Sequence, residues 1–139
     1  MKYTVRILML TATLLPMMAA AQIQRDGKLQ AKVPFDFVVG STTIPTGVLT
    51  VQRAALINGP LVLSNRAAKV NMIANFTRVE AKTPAATTAL VFHKYGHRYF
   101  LWQMKVEGSP SMYQSLPSRA EAELQAQNVH ADEILLALK

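Results

Sequence analysis

Leu90–Val106, LVFHKYGHRYFLWQMKV, is the stretch on which the reading of this chain turns. Apolar and polar residues alternate on either side of Lys94-Tyr95-Gly96-His97, the pattern of two antiparallel strands joined at a glycine-containing turn. On the outgoing strand Leu90 and Phe92 face away from Val91 and His93. On the return, strict alternation puts Arg98, Phe100, Trp102, Met104 and Val106 on one face and Tyr99, Leu101, Gln103 and Lys105 on the other. Five of the nine aromatic residues after position 21 fall here, the one Trp among them. The rest of the domain is expected to pack around this hairpin.

Upstream, the period of two recurs. Ala31–Val39 places Val33, Phe35, Phe37 and Val39 on one side, and Pro34, which has no N–H to donate, confines that strand to an edge. Gly40–Gly47 is a connection ending in the β-turn Ile44-Pro45-Thr46-Gly47. Val48–Ile57 alternates and ends at Asn58-Gly59-Pro60. Leu61–Ser64 is a short strand, Asn65–Ala68 a turn, and Lys69–Thr77 another strand. Val79–Thr88 reads as an exposed loop. Glu107-Gly108-Ser109-Pro110 closes the hairpin, and Ser111–Leu116 forms a further short strand. Regular short strands between Gly/Pro turns predict a mainly β domain, a small antiparallel barrel or sandwich of about six to eight strands.

The period then changes. Ser118 stands three residues before Glu121, the spacing of a capping box, and Pro117 blocks an earlier helix start. Ala120, Leu124, Ala131, Leu135 and Leu138 fall on one helical stripe. A C-terminal α-helix over about 118–138, with Asn128-Val129-His130 as a break point, is the expectation.

Residues 1–21 read as a signal peptide. Lys2 and Arg6 precede the apolar run Ile7–Leu15, Pro16 ends it, and Ala19-Ala20-Ala21 offers a cleavage site. The run is too short to span a bilayer, which takes about 20 apolar residues. Export would leave 118 residues, with 22–30 as a flexible lead-in and 31–139 as a single β-domain. The absence of cysteine removes thiol catalysis, iron–sulfur clusters, cysteine zinc sites and a lipoprotein anchor. Without Lys2 and Arg6 there are thirteen basic and eight acidic side chains, a net charge of +5. These charges are scattered and the protein is read as exported to periplasm or medium, so nucleic acid is not the expected partner. An envelope protein, an anionic glycan or a lipid surface fits better, and solubility alone also accounts for the charge.

Candidate sites are few. His93 and His97 flank the hairpin tip and are the candidate metal ligands. A histidine-only site needs a third ligand, and the competing reading makes His93 a hydrogen-bonded strand residue and His97 an exposed turn residue. No catalytic residue is assigned. There is no nucleophile elbow, no paired carboxylates and no phosphate loop. Glu121 and Glu123 suit the first turn of a helix. Asp36 reads as a solvated or turn-linked carboxylate rather than a catalytic acid. Tyr95, Tyr99, Phe100 and Trp102 are the candidate ligand-binding set, at the mouth of a barrel if one closes, or else core. No cofactor is implied.

Several pieces of the chain resemble an expanded group of small secreted bacterial proteins, found mainly in acidobacteria and without an assigned activity. They are Val33-Pro34-Phe35-Asp36-Phe37, Ile44-Pro45-Thr46-Gly47, Val91-Phe92-His93-Lys94-Tyr95-Gly96, Arg98-Tyr99-Phe100-Leu101 and the Leu116–Glu121 segment. His97 departs from the small polar residue common in that group. The resemblance implies a signal peptide, a small β-domain and a C-terminal helix, with no catalytic residue. Together these readings predict a non-enzymatic domain with a structural or interaction role at the cell envelope. Alternatives are a carrier of a small apolar, lipid-like ligand, or a histidine-dependent metal protein or hydrolase.

Overall fold

A computed structural model describes residues 28–53 and 60–138, so the leader, most of the lead-in and the Asn58-Gly59 turn lie outside the described residues. The domain is mainly β, with eleven strands in two sheets and one helix among the described residues. The smaller sheet holds β1 (Lys28–Val33), β4 (Gly47–Arg53), β5 (Leu61–Asn65) and β6 (Val70–Ala74), in that order. The larger runs β11 (Asp132–Ala137), β8 (Ala89–Tyr95), β9 (Arg98–Lys105), β10 (Ser111–Ser115) and β7 (Phe76–Glu80). The hairpin of β2 (Phe37–Val39) and β3 (Thr42–Ile44) joins it through a parallel bridge from Val38 to Phe100. The sheets are open, consistent with a sandwich rather than a closed barrel.

The apolar alternation read from the sequence is what the core uses. Ala31, Val33, Leu49, Val51, Leu61, Leu63 and Ala74 from one sheet meet Phe37, Val39, Ile44, Leu90, Phe92, Leu101 and Met104 from the other in a single buried cluster. Phe92 has no exposed surface and takes the edges of Phe35 and Phe37 at 5.0 and 5.2 Å. Such edge-to-face pairs add to what burial alone contributes.

The strand count exceeds the expected six to eight because two long alternating runs are each cut where the chain changes sheet, and because β3 forms inside the expected Gly40–Gly47 connection and β11 inside the expected helix. The run over 31–39 begins earlier, at Lys28, and breaks at Pro34-Phe35-Asp36. Pro34 cannot donate to a ladder, and the bend is held from outside: Thr46 N–H donates to Asp36 Oδ1 at 2.7 Å, and Thr46 Oγ1 donates to Val33 O at 2.9 Å. Asp36 is thus turn-linked. The run over 69–77 breaks at Asn75, with β6 in one sheet and β7 in the other. β7 extends to Glu80, so Val79 and Glu80 belong to a strand rather than to the loop expected from Val79 onward.

Asn65, read as a turn residue, is instead the buried hub beside the first corner. It is 1% exposed; its Nδ2 donates to Pro45 O at 3.0 Å, and its Oδ1 accepts from Ala68 N–H at 3.2 Å. Gly47 passes beside it with a φ of 143°, and a Cβ placed there would lie 3.0 Å from Asn65 Nδ2. Gly47→Ala is therefore strained in both backbone and packing. It is expected to lower unfolding free energy by about 1–3 kcal/mol, read as a lower urea midpoint with an unchanged slope.

The expected helix over 118–138 is half helix and half strand. α1 covers Arg119–Ala126, and Asp132–Ala137 is β11. Asn128, at a φ of 56°, takes the left-handed conformation that ends helices. Beyond it the free edge of β8 outweighs helical periodicity, since six consecutive residues pair with β8 from Asp132↔Lys94 to Ala137↔Ala89. The operative apolar period is then two. Ile134, Leu136 and Leu138 pack against the core, whereas Leu135, placed on the helical stripe, is 56% exposed.

Candidate functional site

A single irregularity in the organising hairpin lies beside a buried polar cluster. β8 and β9 pair in register from Tyr95↔Arg98 to Phe92↔Leu101, then resume at Val91↔Gln103, so Trp102 is an extra residue in a β-bulge. The bulge reverses the facing of the following residues. Met104 enters the core with Leu101, not with Phe100 as strict alternation required.

The candidate aromatics are therefore divided between two faces. Tyr99 lies on the core side, stacked on Phe35 at 3.8 Å with the Lys94 ammonium 5.6 Å from its ring. Tyr95, Phe100 and Trp102 lie with His93 on the opposite face, where α1 docks on His93 and Tyr95. The Trp102 ring stacks on His93 at 4.2 Å, and Tyr95 meets Phe100 edge-on at 5.6 Å. Tyr95 and Phe100 are buried.

Onto this face α1 lowers one carboxylate. Glu121 is 3% exposed and is the one buried residue of the helix. Its Oε1 accepts from His93 Nδ1 at 2.7 Å and from the Tyr95 hydroxyl at 3.1 Å. The Tyr95 oxygen in turn accepts from Gln125 Nε2 at 3.2 Å. Half of the anticipated capping box forms: Glu121 N–H donates to Ser118 Oγ at 3.1 Å. The glutamate side chain turns inward to the sheet instead of back to the cap. Sequence reasoning gave Glu121 only the role of a first-turn acid. The Ser-x-x-Glu spacing located it correctly but carries no signal that the carboxylate is buried.

Burial pushes the Tyr95 phenol above its ordinary value; Gln125, donating to its oxygen, works against this, and the Glu121 carboxylate adds to the rise. A folded-state pKa raised above the unfolded one stabilises fully below the unfolded value, about 10 for tyrosine, and that contribution is lost as pH rises through the folded value. Stability should therefore fall above about pH 10. Tyr95→Phe should flatten that alkaline decline while costing some stability at neutral pH. Urea titrations of both proteins from pH 8 to 11 check the difference; identical slopes would contradict it.

The two candidate metal ligands have different surroundings. His93 is committed through Nδ1 to Glu121, and His97 is exposed in the turn. Glu133 of β11 is the register partner of His93 but is exposed. Among the described residues no three His, Asp or Glu side chains are grouped so as to hold a metal ion. Near the start of α1, Arg98 and Arg119 line an open depression of about 570 Å³ with Ser41, Thr43 and Glu123. Arg119 Nε donates to Glu123 at 3.3 Å, and the Arg98 guanidinium sits 5.2 Å from the Phe100 ring.

No family model, curated protein or solved structure matches this chain. Among the described residues no helix is long and apolar enough to cross a membrane.

Proposed function

We propose that the chain is exported, loses residues 1–21, and works in the periplasm or outside the cell as a non-enzymatic domain that makes contacts at the envelope. The observation that carries this reading is the use to which its distinctive side chains are put. The large aromatics Phe37 and Phe92 fill the space between the sheets, and Phe100 is buried beside Tyr95. His93 is bound to Glu121, Asp36 to a turn amide, and Ser118 to a helix N–H. What remains for function is surface: scattered positive charge, the arginine-lined depression and the outer strands of each sheet. An envelope protein, an anionic glycan or a lipid headgroup is the class of partner such a surface suits.

A hydrolase reading keeps one specific support, the Glu121–His93 pair, since a carboxylate on Nδ1 is how catalytic imidazoles are oriented. Native mass spectrometry of protein purified from an exporting host tests the main reading. The expected mass is that of residues 22–139 with nothing bound. A retained adduct of a few hundred daltons would replace it with the carrier reading, and a retained metal ion lost on His93→Ala would replace it with the metal reading.

A further inference from the structure

We propose that α1 is a detachable cover over the outer face of the larger sheet, opening as a unit while the sandwich stays folded, with Glu121 as its catch. Four observations lead there. First, α1 has eight residues, and isolated helices shorter than about 12 residues are marginal in water. Docking must hold it.

Second, the docking is polar. The buried residue is Glu121, while Ala120 and Leu124 are only half-buried. Hydrogen bonds exchanged for water on opening contribute little net free energy, unlike buried apolar area. A helix held by a carboxylate therefore opens at lower cost than one held by leucines.

Third, the helix is complete in itself. Ser118 caps its start, and at its end Gln127 N–H donates to Glu123 O and Val129 N–H donates to Leu124 O, both at 3.1 Å. Among the described residues neither end of the helix has a backbone–backbone hydrogen bond to the sheet.

Fourth, the core does not need it. None of the buried or partly buried members of the hydrophobic cluster belongs to α1. The strand that follows is fixed separately, by its six pairs to β8 and by Leu138 N–H donating to Thr88 O at 2.8 Å. Opening α1 would free His93 and Tyr95 from Glu121, with Trp102 stacked on the one and Phe100 set edge-on to the other. This device is independent of whether the protein is exported.

Hydrogen exchange followed by mass spectrometry on the full chain at neutral pH tests it. Local opening predicts amides of 119–127 exchanging at least about ten-fold faster than those of β8 and β9. Glu121→Gln should speed the helix amides by about a further ten-fold, and amides of β4, β5 and β9 by no more than that factor, so that the helix keeps its lead over the core. The same variant should change Trp102 emission, since that ring stacks on the His93 that Glu121 holds. Helix amides that exchange in step with the core would overturn the proposal. So would a Glu121→Gln protein in which helix and core amides exchange at one common rate, or one that fails to fold, because the catch would then be part of the global fold. Tyr95→Phe, which removes one bond to the same carboxylate, should show a smaller effect of the same kind; no effect on α1 exchange in either variant would also overturn it.

Discussion

Phe92→Ala is expected to lower the unfolding free energy by about 3–5 kcal/mol, the range for emptying a buried aromatic site. Phe92 has no exposed surface and stands between Phe35 and Phe37, with both rings set edge-on to it. It comes from β8, whose neighbours β9 and β11 fix the backbone on both sides, so little collapse into the vacated space is available. Domains of this size have about 5–15 kcal/mol in total, so the variant should be near the edge of folding at 37 °C. Phe35→Ala makes the control. Phe35 is only half-buried at the rim of the same cluster, and its loss should be clearly smaller. Urea denaturation of the three proteins decides the matter. Equal losses for the two variants would show that the sandwich is held at its rim rather than at its centre.

Asn65→Ala is the second large effect, at about 2–3 kcal/mol, because it orphans groups on both sides of the amide. Pro45 O loses its donor and Ala68 N–H its acceptor, in a place where Asn65 itself is 1% exposed. Asn65→Asp separates these contributions. It keeps the acceptor for Ala68 but sets a carboxylate against the carbonyls of Pro45 and Thr46, which lie 3.0 and 3.5 Å from Nδ2. At neutral pH it should be no more stable than Asn65→Ala, and acidification should recover part of the difference as the carboxyl becomes a donor. A variant indifferent to pH between 7 and 4 would contradict this account of the corner.

The organising hairpin was legible down to the facing of Leu90, Phe92, Val91 and His93, because a strand buried on both faces still alternates in size and polarity. Trp102 was not legible as a bulge. One extra residue leaves composition unchanged and shows only in the register of the partner strand. The two sheet-changing corners were half legible. Pro34 marked an edge position but not the break, and Asn75 has no conformational signature of its own. The C-terminal half-helix failed for a different reason. Asp132–Ala137 satisfies both a helical stripe and a period of two, and the tie is broken by β8 needing an edge partner, a fact located some forty residues away. Glu121 is the same problem at a single residue. Its place in a capping box could be read, but its burial depends on His93 and Tyr95 being underneath.

The late position of β11 has a consequence for how each copy is made. β8 is flanked by β9 almost at once during synthesis, but its other side waits for Asp132–Ala137. Until those residues emerge, the nascent chain carries a bare row of amides and carbonyls beside Ala89–Tyr95, among its most apolar segments, and bare edges recruit strands from other chains. A stop codon after Gln127 would make that interval permanent. The shortened product would keep its core residues and still be a template for aggregation.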